Sequence, residues 1–402
     1  MAREEIVVGM EIGTSKVCVV VGEIKSDRSI KIVGVGEAAS RGVRKGEIVD
    51  FDICGKCIRE AVVEAEEKSD VLIKNIYLGI TGAHMESFNS RGVHSLPDDR
   101  DEIGPEDVEA VQEKARDISV SSQNSFVHTI LQHYYVDGNE GVINPIGMFG
   151  RTLEADFHIV HGVTSRIKNI IRCVKQLDLE VEDIVFNPYA AAQVVLDPQH
   201  KTIGALMIDM GGGTTGYMAY VDGAAKHSGV LGLGGDHITN DLSIGLRIPM
   251  AKAEKLKIEH GCVTLGNSGA GDVISLRDEH GFAGREIERE TLNTIIHLRV
   301  RETLELLKKR LINENVLDLL GAGIVLTGGS SMLRGVKNLA EEVFGLPVQL
   351  TRPPNLAGNV SAFENPKYST AIGLVKWAQA TFELENKGFF GRIRDWLVSG
   401  RK

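Results

Sequence analysis

Two stretches of this 402-residue chain share one chemical design. Residues 5–24, EIVVGMEIGTSKVCVVVGEI, run from a β-branched segment through Glu11 into the turn Gly13, Thr14, Ser15, Lys16, and on into a second β-branched segment. Residues 205–225, ALMIDMGGGTTGYMAYVDGAA, do the same through Asp209 and the turn Gly211, Gly212, Gly213, Thr214. The two acids lie 209 − 11 = 198 residues apart, close to half the chain. That period reads as an internal duplication and is far too long for a solenoid repeat. A glycine turn brings backbone N–H groups close to an anion, and a hydroxyl adds a donor without bulk. Phosphate suits such turns. Lys16 then offers a point charge to a β- or γ-phosphate, and Glu11 and Asp209 offer the one or two carboxylates that Mg²⁺ accepts while keeping several waters. Either turn alone is also an ordinary hairpin; the matched pair is what strengthens the phosphate reading.

Three further stretches follow in the order a nucleotide cleft needs. GVLGLGGDHIT gives a tight turn at Gly234 and Gly235. AEKLKIEHG puts Glu254 and Lys257 three apart on one helix face, where acid and base can hold a ribose, or form a surface pair worth under about 1 kcal/mol. LTGGSS offers Gly328 and Gly329 as bare backbone for a flat base.

These residues must be positioned by strands on either side of each turn, so two hairpins in two lobes of similar design are expected. Between them, residues 83–163 read as a small α+β insertion. Its helix PEDVEAVQEKARDI has Pro105 at the first position and Val108, Val111, Ala115 and Ile118 on one face, and the strand-like VHTILQHYYV and EADFHIVHGVT follow. In FHIVH, alternation makes His158 and His161 strand residues rather than metal ligands. REIERETLNTIIHLRVRETLELLKKRL reads as one long helix on Leu292, Ile296, Val300, Leu304, Leu307 and Leu311. GIVLTGGSSMLRG reads as strand, glycine turn and helix.

Composition narrows the class. Apolar residues at 43% and charged residues at 25% exclude a disordered, collagenous or coiled-coil protein. A net charge of −10 argues against nucleic acid as a partner, because phosphate neutralisation needs a basic surface. The 45 glycines point to loops that approach something closely. Cys18, Cys54, Cys57, Cys173 and Cys262 are an odd set with no disulfide framework, which suits a reducing cytosol. Cys54 and Cys57 share an apolar helical stripe with Ile58, Ala61 and Ala65 and read as core thiols. No apolar run is long enough to span a membrane.

The last stretch, GFFGRIRDWLVSGRK at 388–402, breaks the acidic pattern. Phe389, Phe390, Ile393, Trp396 and Leu397 make one helical face, Arg392 and Arg394 flank it, and the side-chain charge is 4 − 1 = +3. An aromatic face with basic flanks is the design of a helix lying in the plane of a membrane surface rich in anionic lipid. The polar stretch 380–387 reads as its tether, eight residues reaching at most roughly 28 Å.

The segments MEIGTSK, IDMGGGTT, LGLGGDHIT, AEKLK and LTGGSSMLRG stand in the order of the actin-like ATPases, and from residue 5 to about 377 the chain resembles that superfamily. Within it the sequence is similar to the FtsA family of bacterial cell-division proteins, on EIGTSKV, SRGVRKGEIVD, the 83–163 insertion, HGCV, GIVLTGGSSMLRG, YSTAIGL and the tail. The resemblance implies an α/β actin-like two-lobed ATPase fold of duplicated mixed-sheet domains, with an inserted α+β subdomain and a C-terminal amphipathic helix. The first lobe would comprise 1–82, 164–197 and 365–379, the second 198–234 and 301–364, and 235–300 a smaller subdomain of the second lobe.

It further implies ATP with Mg²⁺. Gly13, Thr14, Ser15 and Lys16 would hold the β- and γ-phosphates, and Gly211, Gly212, Gly213, Thr214, Gly234 and Gly235 would line the other side. Glu254 and Lys257 would meet the ribose, Gly328, Gly329 and Ser330 the adenine, and Glu11 and Asp209 the metal through water. In FNPYAAA, Asn187 stands where chaperones and some bacterial actins carry a glutamate that orients the attacking water, so no catalytic residue is assigned and slow hydrolysis is expected. The implied role is to tether FtsZ to the cytoplasmic face of the inner membrane at the division septum, to bind it through the 235–300 subdomain, to self-associate and to recruit later division proteins. An actin-fold sugar kinase is the alternative.

Overall fold

The computed structural model describes residues 5–118, 121–266, 272–278, 284–351, 357–358 and 365–386. The first lobe opens with a meander of β1 (Glu5–Ile12), β2 (Lys16–Ile24) and β3 (Ile30–Ala39), then a short hairpin of β4 (Val43–Arg44) and β5 (Glu47–Ile48). Helix α1 (Phe51–Ser69) follows, capped by Asp50, whose side chain accepts from the Ile53 N–H. It buries the stripe Cys54, Cys57, Ile58, Ala61, Val62 and Ala65. Strand β6 (Asn75–Ile80) lies parallel to β1. Both faces of this sheet are covered. Val8, Met10 and Ile12 point to α1, and Val7, Cys18 and Val20 to the opposite side, so the strands read as continuous apolar runs.

The insertion is a four-stranded antiparallel sheet with one helix. It contains β7 (Glu86–Ser95), α2 (Pro105–Arg116), β8 (Asn124–Val136), β9 (Asn139–Val142) and β10 (Thr152–Val163), in the spatial order β7-β10-β8-β9. Val111 and Ala115 of α2 are buried and Val108 partly so, whereas Ile118 lies beyond the helix end and is exposed. The half-buried alternation expected for FHIVH does not hold: residues 157–162 are buried on both faces of β10. His158 sits between Asn89 Oδ1 at 2.7 Å and Ser228 Oγ at 2.8 Å, a polar bridge from the insertion to the second lobe.

The chain then returns to the first lobe with α3 (Thr164–Lys175), β11 (Glu180–Phe186) and α4 (Asn187–Val195), and α5 (Pro198–Ile203) leads to the second. There β12 (Ala205–Met210), β13 (Thr215–Val221) and β14 (Ala224–Leu231) repeat the opening meander, followed by α6 (Gly235–Gly245), α7 (Met250–His260), β15 (Val273–Leu276), β16 (Arg285–Glu288), α8 (Arg289–Asn313), β17 (Gly323–Thr327), α9 (Val336–Phe344) and β18 (Val348–Leu350). The second sheet is ordered β14-β13-β12-β17-β18, and the first β11-β6-β1-β2-β3-β19, where β19 is Ala357–Gly358. Each sheet is therefore three antiparallel strands flanked by parallel ones. Helix α10 (Ser369–Asn386) closes the described chain, packed on β1, β2 and α4.

Four further sequence expectations need correction. The long helix starts at Arg289, because residues 285–288 pair with β15 as a strand. The boundary expected at 300/301 falls inside α8, and one continuous apolar cluster runs from β12 through α6, α7 and α8 to β18, so 235–300 has no separate core. Residues 357–358, assigned to the second lobe, pair with β3 of the first. The tether expected at 380–387 is helical to Asn386, since Thr381, Glu383, Leu384 and Glu385 continue α10 instead of breaking it. Seven helical residues advance about 10 Å rather than the extended reach.

Candidate functional site

The duplicated strands set the site. Glu11 pairs with Cys18 across the first hairpin, and Asp209 with Gly216 across the second, each one residue before its strand ends. The first turn closes by Gly13 N–H to Lys16 O at 2.9 Å and the second by Gly211 N–H to Thr214 O at 2.9 Å, the same bond at equivalent positions. The turns meet head to head: a Cβ on Gly212 would stand 2.9 Å from Ser15 Cβ, and one on Gly213 would clash with Thr14. Only bare backbone allows that approach. A cleft of about 600 Å³ opens beside them, lined by both turns, both acids, Asn187, Glu254, Gly328, Gly329 and Lys367.

Lys16 is the charge at its floor. Its ammonium donates to Glu11 Oε2 at 2.6 Å, with only 13% and 14% of the two side chains exposed. Burial opposes that charge, but Glu11 and neighbouring negative groups hold the Lys16 pKa above the usual lysine range. Asp209 accepts from Thr370 Oγ1 at 3.0 Å, and its pKa is pushed up to about 6, by burial first and then by Glu11. Among the described residues no group of three or more His, Cys, Asp or Glu is arranged to hold a metal. A cation beside Glu11 and Asp209 would take its other ligands from phosphate and water, as Mg²⁺ does.

The remaining sequence-predicted residues divide. Gly234 and Gly235 do not line the cleft; they start α6 and back the second turn, with Gly235 N–H bonded to Gly211 O at 2.9 Å and Asp236 N–H to Gly212 O at 2.8 Å. Lys257 is buried and spends its three donors on Gly235 O, Thr239 Oγ1 and Glu254 Oε2 at 3.1, 2.9 and 2.6 Å, clasping α7 to α6. Both residues line the cleft, Lys257 with 9% and Glu254 with 42% of its side chain exposed. Gly328, at φ +84°, lies against the Met210 backbone and Asp209, while a Cβ on Gly329 would meet nothing within 4 Å. Ser330 Oγ donates to Gly211 O at 3.2 Å. Asn187 begins α4 at the cleft wall, 5% exposed, and its Oδ1 has no hydrogen-bond partner among the described residues. Phe389, Phe390, Arg392, Ile393, Arg394, Trp396 and Leu397 lie outside the described residues. No described helix is long and apolar enough to cross a membrane.

Sequence reasoning missed a polar cluster in the cleft lining, beside Cys18 and Lys16. Lys367 Nζ lies 2.7 Å from Glu37 Oε2, and Tyr368 Oη donates to the same oxygen at 2.6 Å. Burial works against the Glu37 charge, yet these two bonds hold its pKa below the ordinary range. Thr327 Oγ1 and Ser369 Oγ are 2.7 Å apart. The segment 365–370 thus joins β3 of the first lobe to β17 of the second. Lys367 and Thr370 sit three apart, but nothing local signals partners 330 and 161 residues away.

Comparison with known proteins agrees with this geometry. The family model described as cell division protein FtsA matches residues 206–373, and that of the SHS2 domain inserted in FtsA matches 82–161, the stretch that folds as the β7-β10-β8-β9 sheet. The cell division protein FtsA of Pseudomonas aeruginosa is 37% identical over 373 residues, covering 93% of this chain and 89% of its own. The chain belongs to the FtsA family of cell-division proteins. FtsA of Escherichia coli (strain K12) is 33% identical over 411 residues, covering 98% and 97%. Among solved structures, the PilM-PilN type IV pilus biogenesis complex aligns with TM-score 0.65 at 15% identity over 92% of this chain and 97% of its own. MreB5 of Spiroplasma citri bound to ADP aligns with TM-score 0.57 at 13% identity over 95% and 98%. The fold of this FtsA relative is therefore the actin-like one, two lobes around a cleft.

Proposed function

We propose that this FtsA-family chain binds ATP with Mg²⁺ between its two glycine turns and, in that state, tethers FtsZ polymers to the cytoplasmic membrane at the septum. The observation that carries the reading is the buried Lys16 beneath two turns that meet through bare backbone at Ser15 and Gly212, with Glu11 and Asp209 alongside. In this reading Lys16 and the turn N–H groups neutralise the phosphates, Glu11 and Asp209 orient a magnesium-bound water shell, and Gly329 receives the base. That MreB5 was solved with ADP on the same fold supports it.

Hydrolysis is slow in this reading, because an amide at position 187 cannot accept a proton, and ATP serves mainly to hold the lobes together. The membrane contact is assigned to Phe389, Phe390, Ile393, Trp396 and Leu397 with Arg392 and Arg394. Burying five such side chains contributes on the order of 1.5–3 kcal/mol each before ordering costs, and basic flanks add roughly 1 kcal/mol per charge. Self-association and contact with later division proteins complete the role.

The test is co-pelleting of the full chain with vesicles containing anionic lipid, with and without residues 388–402, ATP and purified FtsZ. Recruitment of FtsZ to vesicles only by the tailed chain supports the reading; equal pelleting without the tail overturns the membrane part. Sugar-stimulated ATP turnover would instead favour the kinase.

A further inference from the structure

The β4–β5 hairpin pairs Arg44 with Glu47, which leaves a two-residue turn, Lys45–Gly46, with φ of 52° and 77°. Positive φ at both positions is the type I′ arrangement, where asparagine, aspartate or glycine is the usual first residue. Lysine there is held in a conformation unfavourable to a residue with a Cβ. The tip is wedged in place. The Gly46 N–H donates to Thr14 Oγ1 at 3.1 Å, and a Cβ on Gly46 would stand 2.9 Å from Thr81 Cγ2 and 3.1 Å from the Gly82 Cα.

From this tip the Lys45 side chain crosses to the second lobe, where a Cβ on Gly232 would lie 3.7 Å from its Cδ and 3.9 Å from its Nζ. His237 of α6 senses the charge: burial and then Lys45 hold its pKa below the ordinary range. Glu47, the nearest acid along the hairpin, is taken by Arg166. Lys45 is thus an ammonium with no acidic partner among the described residues, at the junction of both lobes. The next residue, Gly46, donates its N–H to Thr14, the threonine that touches Gly213. The Lys45 side chain itself neighbours Gly232, while the contacts with Thr14 and Thr81 are made by the adjoining Gly46.

We propose that Lys45 discriminates nucleoside triphosphate from diphosphate, its ammonium stabilising the terminal phosphate where Thr14 and Gly213 meet. Lys16 serves the inner phosphates of either nucleotide; Lys45, outside the Thr14 turn, has a counter-charge only when the third phosphate is present. The inference rests on the nucleotide reading of the cleft.

Calorimetric titration of the full chain with ATP and with ADP, both with Mg²⁺, tests it. Lys45→Met is expected to weaken ATP about tenfold, the effect of losing a charge-assisted bond, and to leave ADP within about twofold. Lys45→Arg restores ATP. Lys45→Gly, which relieves the backbone and should melt no lower than the parent, shows the same selective loss. An equal loss for both nucleotides, or undiminished ATP affinity in both charge-free variants, overturns the assignment of Lys45 while leaving the cleft intact. A parent chain that binds neither nucleotide removes the proposed function itself.

Discussion

Lys16 Nζ and Glu11 Oε2 stand 2.6 Å apart at the floor of the cleft, five residues apart in sequence and on opposite strands of one hairpin. Two nearby acids depend on that cation, since Asp209 is already pushed up to about 6 by burial and by Glu11. Lys16→Met strands a buried carboxylate, so a loss of about 3 kcal/mol in denaturant unfolding is expected. Adding Glu11→Gln to it should recover most of that loss, because the charge left without a partner is then gone. Equal stability of parent and Lys16→Met would show that the pair is not buried as described.

Asn187 supplies a second prediction. Its Oδ1 is buried without a partner at the cleft wall, and its side chain packs against the Gly79 backbone. Asn187→Asp keeps the shape and adds a proton acceptor, and general-base catalysis contributes about 10²–10⁴-fold when well placed. Steady-state phosphate release is expected to rise at least about tenfold. An unchanged rate would mean that the wall does not face the attacking water.

Gly9 lets α10 lie directly on β1, for a Cβ there would stand 2.6 Å from Ala371 O and 2.8 Å from Leu374 Cβ. Gly9→Ala forces helix and sheet apart, and a loss of about 2 kcal/mol is expected from such overpacking. Chemical denaturation reads it directly. A neutral substitution would mean that α10 is loosely seated.

Acid should weaken the fold before most carboxylates titrate. Burial lowers the pKa of His128 and of His158 to about 3, and burial with the charge of Arg166 lowers that of His84 to about 4. His128 accepts from the Phe186 N–H through Nε2 at 2.9 Å, which fixes it as neutral. In the unfolded chain these rings gain protons near pH 6.5 that the folded chain refuses, so stability falls with pH from there down to about 3–4. At pH 5 each costs about 2 kcal/mol relative to pH 7. Asp209, whose folded pKa is raised, works in the opposite sense and offsets about 1 kcal/mol. Unfolding free energies that match at pH 7 and pH 5 would contradict the burial of these histidines.

Much of the architecture was legible because it is written locally. The 198-residue offset, the glycine turns and the apolar stripe of α1 all follow from spacing. What escaped depends on distant partners. The alternation of β10 fails because the insertion packs against β14, and His158 there finds Ser228, 70 residues on. Gly234 and Gly235 look like phosphate ligands in sequence but spend their positions backing Gly211 and Gly212. Glu37 and Lys367 meet at the cleft only through the fold, and the polar run after Ala380 conceals good helix formers.

The central claim is that one triphosphate lies between the two turns. A structure of the full chain solved with a non-hydrolysable ATP analogue and Mg²⁺ tests it most directly. The terminal phosphates are expected within hydrogen-bond reach of Thr14 Oγ1, Lys16 Nζ and the Gly212 and Gly213 N–H groups, with the metal on the side of Glu11 and Asp209. An analogue bound elsewhere, with Ser15 still packed on Gly212 and nothing between the lobes, would contradict it.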